Sequence, residues 1–211
     1  VEHLILFAKT GRLHEVKTRL APRLNPEQVL LLHEAMLDDQ MRFVESLSGA
    51  ERSFEVCLDT QQGDGDLGER MNRALDRAFA SGSRRAVILG ADAPTLPGSI
   101  VENAFELLGT GADAVIIPAH DGGYVLVGAS HPVPALFKGI PWGTPSVADA
   151  TRRLALAAGL VLAETAPWFD VDVASDLLLL ARELAENSSR APRTASCLAQ
   201  LGLYGQRNPM V

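Results

Sequence analysis

The stretch that decides the fold is Ala86–Leu108, AVILGADAPTLPGSIVENAFELL. It opens with a short apolar run, Ala86–Ala91, of strand length. Asp92-Ala93-Pro94-Thr95 breaks that run, and a helical pattern follows Pro97 to about Leu108. Strand, loop and helix in this order make half of a β-α-β unit. The same grammar recurs on both sides. Further strands are expected at His3–Ala8, Ser53–Leu58, Ala114–Pro118, Tyr124–Gly128 and Gly159–Ala163. Further helices are expected at Pro26 to about Leu47, Asp66 to about Ala80, Ser146–Ala158 and Ala174–Glu186. The first of these has Asn25 as its cap, Pro26 in its first position and Gln28 at capping-box spacing. Val29, Leu32, Met36, Phe43 and Leu47 then share one face. Asp66 and Glu69 repeat the capping-box spacing. The expected fold class is α/β: a three-layer α/β/α, Rossmann-like arrangement with a mostly parallel sheet covered on both faces.

The chain has 211 residues, 47% of them hydrophobic and 21% charged, which suits one folded domain rather than a disordered chain. Residues 1–186 are expected to form that domain and 187–211 a C-terminal appendage. The appendage is polar and broken by Pro192, Gly202, Gly205 and Pro209. It reads either as loose or as carrying a short helix near Thr194–Leu201. The net charge of −7 excludes a broad basic footprint for nucleic acid. Cys57 and Cys197 stand far apart with no C-x-x-C pattern, so neither a zinc site nor a redox motif is expected. No signal peptide is read at the start. Leu154–Ala163, the best apolar stretch, is too short to span a bilayer. A cytoplasmic location follows as the expectation.

In a parallel α/β sheet, ligands bind beyond the carboxyl ends of the strands. Lys9, Arg12, Lys17 and Arg19 follow the first strand, four cations within eleven residues of an acidic protein. Gln61 to Met71, with three glycines, precedes the second helix. Asp92 follows the Ala86 strand, Asp121-Gly122-Gly123-Tyr124 follows the Ala114 strand, and Asp170-Val171-Asp172 precedes the last long helix. Cations neutralise phosphate oxygens. Mg²⁺ usually keeps waters and takes one or two carboxylates. Glycines let backbone approach a ligand. Together these predict a nucleotide with a divalent cation, and Asp92 and Asp172 as the metal ligands, Asp172 preferred to Asp170 for its place nearer the strand end. Each signal has a local alternative. Asp92 can start a turn, Asp172 can cap a helix, and Asp121-Gly122-Gly123 can turn a hairpin. The N-terminal cations can be a solvated loop, and Trp142 can be core or a cover over a ligand.

Five ordered motifs then resemble a known family: Ala8-Lys9-Thr10 with Lys17-Thr18-Arg19-Leu20-Ala21-Pro22; Gly65-Asp66-Leu67-Gly68-Glu69-Arg70-Met71; Gly90-Ala91-Asp92-Ala93-Pro94-Thr95-Leu96-Pro97; Pro118-Ala119-His120-Asp121-Gly122-Gly123-Tyr124; and Asp170-Val171-Asp172 with Asp176-Leu177. The chain is similar over roughly Leu4–Leu180 to a bacterial, glycosyltransferase-like branch of the nucleotide-diphospho-sugar transferase superfamily, of GT-A fold. It is more distantly similar to 2-phospho-L-lactate guanylyltransferase. The resemblance implies a metal-dependent transferase using a nucleotide-activated substrate with Mg²⁺ or Mn²⁺. Lys9, Lys17 and Arg19 would meet phosphates, with Lys17 and Arg19 adding catalytic positive charge. Thr10, Gln61, Asp66, Gly68 and Arg70 would border the nucleotide. Gly122, Gly123, Tyr124 and Trp142 would shape the acceptor side, and Asp121 would be a base on the acceptor. The chain departs from the family pattern in the first loop, which carries Gly11, Leu13 and His14, and at Val173-Ala174, where the usual cap before the last helix is lost. A nucleotidyltransferase releasing pyrophosphate, and a binding protein without turnover, are the alternative readings. A homodimer is left open.

Overall fold

The first strand, β1 (Glu2–Ala8), shows how the sequence writes the layers. Leu4, Leu6 and Ala8 pack into one core, while Ile5 and Phe7 pack into the other. That two-residue alternation, apolar on both sides, belongs to a strand covered on both faces. The computed structural model describes residues 1–204. After β1 come α1 (Pro26–Ser46), β2 (Arg52–Leu58), α2 (Asp59–Gln62), α3 (Leu67–Ala80) and β3 (Arg85–Gly90). Then follow α4 (Gly98–Gly109), β4 (Ala114–Pro118), β5 (Tyr124–Ala129), α5 (Val147–Ala158), β6 (Leu162–Glu164), α6 (Asp176–Glu186) and α7 (Pro192–Gln200).

The six strands lie in the order β2-β1-β3-β5-β4-β6. All neighbours pair in parallel except those involving β5, which is antiparallel to β3 and β4. Residues 119–123 between β4 and β5 are too few for a crossover, so the chain turns back as a hairpin. This reversal puts Tyr124, the first residue of β5, at the edge where the parallel strands end. One face of the sheet is covered by α1 and α4, through Val44, Val101, Ala104 and Phe105. The other is covered by α3 and α5, through Met71, Leu75, Ala148 and Ala155. The result is the three-layer, mostly parallel α/β/α arrangement that the sequence predicts.

Both capping boxes form: Asn25 with Gln28 at α1, and Asp66 with Glu69 at α3. Two boundaries differ from expectation. The last strand is Leu162–Glu164 rather than Gly159–Ala163, because Gly159 takes the left-handed conformation (φ 68°) that ends α5. Asp172 does not cap α6. The helix begins at Asp176 rather than Ala174 and has no side-chain cap; the Asp176 carboxylate instead accepts from the backbone N–H groups of Asp172 (2.9 Å) and Val173 (2.7 Å), which precede it.

Of the expected appendage, Pro192–Gln200 form α7, which packs with α1 and α6 around Leu184, Ala195 and Leu198. Its first turn has no cap of its own. Asp39 of α1, buried at 3% exposure, supplies one by accepting from the backbone N–H groups of Arg193 and Thr194 and from the Thr194 hydroxyl. Gly205 and Pro209 lie outside the described residues. Among the described residues, no helix is long and apolar enough to cross a membrane.

Candidate functional site

At the carboxyl edge of β1 and β3, beside the start of β5, lies a cavity of about 380 Å³. Its size is in the range of small-molecule sites. The loop from β1 to α1 reaches across it. Lys17 buries its side chain to 5% exposure and places Nζ 2.6 Å from Asp92 Oδ1 and 2.6 Å from the Val171 carbonyl oxygen. Arg19 Nη1 meets Asp172 Oδ2 at 2.5 Å. Residues 9–19, 92 and 170–172, remote in sequence, therefore converge. Lys17 has φ 44° and His14 φ 64°, a left-handed backbone that side-chain-bearing residues rarely adopt. Such strain persists only where the surroundings over-determine it. At Lys17 the two bonds of its ammonium do that.

The segment after β6 explains how Asp170 and Asp172 arrive. Thr165 N donates to the Ile116 carbonyl, Trp168 N to that of Pro118, and Val171 N to that of Asp92 (2.9 Å). The chain thus runs across the strand ends from β4 towards β3. It leaves Asp170 and Asp172 in the cavity wall facing Asp92 and Asp121. Burial, and then the negative charges of Asp121, Asp92 and Asp172, push the Asp170 carboxyl up to about 6. Asp92 moves the other way. Burial raises its carboxyl, but the Lys17 ammonium, aided by His33 and Lys9, brings the net shift below the usual carboxylate range. Asp92 is still 53% exposed, open to the cavity.

Of the residues the sequence singles out, Lys9, Lys17, Arg19, Arg70, Asp92, Asp121, Gly123, Tyr124, Trp142 and Asp172 stand in the cavity wall. Five others serve it from behind. Thr10 donates its N–H (3.0 Å) and its hydroxyl (2.6 Å) to Asp59 Oδ1, anchoring the first loop. Gln61 accepts from Leu58 N at the start of α2, and Asp66 caps α3. Gly68 lets α3 approach Trp142, since a Cβ there would sit 2.7 Å from Trp142 Cζ2. Gly122, at φ 93°, would place a Cβ 2.0 Å from the Pro145 carbonyl oxygen, and its own carbonyl accepts from Ala148 N at the start of α5. Asp121 Oδ1 accepts from Gly123 N (2.8 Å), which shapes the hairpin turn. Trp142 meets Tyr124 edge-on, with centroids 6.3 Å apart. Its buried Nε1–H has no partner among the described residues.

Sequence reasoning missed His33 and Gln62 and passed over Asp170. His33 sits in the buried stripe of α1 and bonds through Nε2 to the Lys9 carbonyl (3.1 Å). Burial lowers its pKa. A histidine breaking an apolar stripe is the signal that could have found it. Gln40, in the same stripe, donates to the Ala93 carbonyl just after Asp92. Gln62 carries no such signal.

The donor set fits a divalent cation. Four carboxylates border one cavity, and one of them, Asp170, is held back from ionising by burial first and then by the charge of the others. Among the described residues, no three His, Cys, Asp or Glu side chains form a ready-made metal site. One or two carboxylates with phosphate oxygens and waters is the usual Mg²⁺ arrangement.

A family model matches residues 19–144, more than half of the chain: "Uncharacterized protein conserved in bacteria (DUF2064)". The chain belongs to the DUF2064 family. Among solved structures, a "putative nucleotide-diphospho-sugar transferase from Desulfovibrio desulfuricans G20" is 29% identical over 94% of each chain with a TM-score of 0.80. A cytidylyltransferase from Leptospira borgpetersenii serovar Hardjo-bovis (strain JB197) is 12% identical over 98% of each chain, with a TM-score of 0.46. CMP:2-keto-3-deoxy-manno-octonic acid synthetase, complexed with CTP, is 11% identical over 88% of this chain and 98% of that one, with a TM-score of 0.45. These last two likenesses are too weak to carry an argument. No curated protein gives a significant match. The DUF2064 chain described here thus has the fold of a nucleotide-diphospho-sugar transferase.

Proposed function

We propose that this protein is a metal-dependent transferase that takes a nucleotide-diphospho-sugar as donor. The observation that carries the reading is the convergence of Lys17 with Asp92 and of Arg19 with Asp172 across one cavity. The structural relative from Desulfovibrio supports it. Lys9, Lys17, Arg19 and Arg70 would bind the diphosphate and stabilise the charge that gathers on it as the sugar leaves. A Mg²⁺ or Mn²⁺ ion, held by Asp92 and Asp170 with Asp172 beside them, would supply further neutralisation there. Asp121 would take the proton from the acceptor hydroxyl as the new bond to the anomeric carbon forms and the nucleoside diphosphate departs.

The distribution of charge favours sugar transfer over nucleotidyl transfer to a phosphorylated acceptor. The cations of the wall come from the first loop and α3. The wall built by the β4–β5 hairpin and residues 142–172 contributes, among the described residues, only the carboxylates Asp121, Asp170 and Asp172 as charged groups, with Tyr124 and Trp142. A phosphate acceptor would meet like charge there.

A thermal-shift panel of nucleotide-sugars and nucleoside triphosphates, with and without Mn²⁺, tests the reading. Nucleotide-sugar and Mn²⁺ together should stabilise the protein by more than either alone, and an acceptor mixture should release nucleoside diphosphate. Pyrophosphate release from a triphosphate would instead make it a nucleotidyltransferase. Stabilisation without any product would leave a binding protein. No stabilisation by any nucleotide would refute the assignment.

A further inference from the structure

Gln62 ends α2 with its side chain almost fully buried, at 4% exposure, between the ends of β1 and β2. Its amide Nε2 donates to two backbone carbonyls, those of Ala8 (3.0 Å) and Cys57 (3.1 Å). Both N–H groups of the amide are thereby used, so the amide cannot flip without setting oxygen against oxygen. Its Oε1 is left pointing at Arg70, whose Nη1 donates to it at 3.1 Å. Arg70 Nε completes the hold by donating to the Asp66 carbonyl (3.3 Å). Arg70 has no ion pair with a carboxylate among the described residues. It is held by neutral oxygens at the cavity wall, with its positive charge uncompensated and its other N–H groups free of these two bonds.

We propose that Gln62 is a positioning residue. It fixes the Arg70 guanidinium for the diphosphate of the ligand, and it couples that orientation to the carboxyl ends of β1 and β2. A carboxylate in its place would set an oxygen against the Ala8 and Cys57 carbonyls and would cancel the guanidinium's charge. A neutral amide locked by two backbone carbonyls orients the cation and leaves its charge for the ligand. This inference rests on the phosphate-binding reading above and adds to it the means by which one wall is set.

The test is a double-mutant cycle read by calorimetric binding of inorganic pyrophosphate with Mg²⁺ at fixed ionic strength. Arg70→Met should weaken binding by roughly tenfold or more, the loss expected for hydrogen bonds to a charged group. Gln62→Met should weaken it about fivefold or more on the same scale, and should add almost nothing in the Arg70→Met background. Gln62→Glu serves as the second variant: it keeps the shape and the acceptor for Arg70 but replaces the donor to the Ala8 and Cys57 carbonyls by a carboxylate oxygen. Its ionised carboxylate should reduce pyrophosphate affinity to the Arg70→Met level. Relative to wild type at the same pH, affinity should recover as acid protonates it, and in the Arg70→Met background the same substitution should change affinity at no pH, an outcome a merely structural glutamine would not give. Equal losses from Gln62→Met in both backgrounds, or no loss in either, would overturn the positioning role while leaving the phosphate site intact. Failure of the wild-type protein to bind pyrophosphate would overturn the positioning role and the phosphate site together.

Discussion

Replacing Asp170 by asparagine should make the ligand-free protein more stable at neutral pH. The Asp170 carboxyl sits at about 6, against 3.8 for an ordinary aspartate. A carboxyl with a raised pKa holds its proton more tightly in the folded chain. It therefore favours folding fully below the unfolded value, and the benefit is lost as pH rises through the folded one. Two pH units at about 1.4 kcal/mol each set a ceiling near 3 kcal/mol. Water in the cavity screens part of this, and asparagine retains a polar group to desolvate, so a gain of about 1–2 kcal/mol is expected. At about 2–4 °C per kcal/mol for a chain of this size, the melting temperature should rise by about 3–6 °C at pH 7.5. The assay is thermal unfolding by circular dichroism from pH 4 to 8. The two proteins should melt together at pH 4, diverge between about pH 4 and 6, and keep a constant gap above that. With Mn²⁺ and a nucleotide-sugar the order should reverse, because only the carboxylate attracts the cation. A variant less stable than wild type at pH 7.5, or a gap independent of pH, would show that the Asp170 carboxylate carries no such penalty in the folded protein.

Lys17→Met removes the bonds to Asp92 and Val171. It should cost about 2 kcal/mol in urea unfolding at pH 7, the lower part of the range for a lost charged pair because the half-exposed Asp92 can rehydrate. The Asp92 carboxyl is depressed, so its share of the pair's stability is present above pH 3.8 and disappears as pH falls through the folded value. The difference between the two proteins should shrink in acid. Gly122→Ala puts a methyl group 2.0 Å from the Pro145 carbonyl oxygen at φ 93°, and should destabilise by about 2–4 kcal/mol in the same measurement. Asp39→Ala leaves two backbone N–H groups and the Thr194 hydroxyl without their acceptor. It should cost about 2–3 kcal/mol, with hydrogen-exchange protection lost first in α7.

The fold was legible because its cues are local. The short apolar run at His3–Ala8, the Asn25–Gln28 and Asp66–Glu69 boxes, and the Asp121-Gly122-Gly123 turn all act within a few residues, and the structure bears each of them out. The last strand was misplaced because Leu160 and Val161 look like strand residues but follow the helix-ending turn at Gly159. The site was legible as a set of strand ends. The approach of Lys17 to Asp92 depends on a left-handed backbone at a lysine, which no pattern of residue types announces. The preference for Asp172 over Asp170 rests on nearness to the strand end, a measure along the sequence. The segment from Thr165 to Asp172 is held across the strand ends by single backbone bonds, and these bring both aspartates to the cavity wall. Gln62 was invisible for a similar reason. Its importance lies in which three groups its amide touches, and those come from β1, β2 and α3.

The central claim is that the cavity over Lys17, Asp92 and Asp170 holds a cation together with a diphosphate. An anomalous difference map from crystals grown with Mn²⁺ and a nucleotide-sugar tests it most directly. A manganese peak is expected beside Asp92 and Asp170, with the diphosphate between it and the cations Lys9 and Arg70. A nucleotide-sugar bound elsewhere on the molecule, or bound in this cavity with the manganese away from both aspartates, would contradict it.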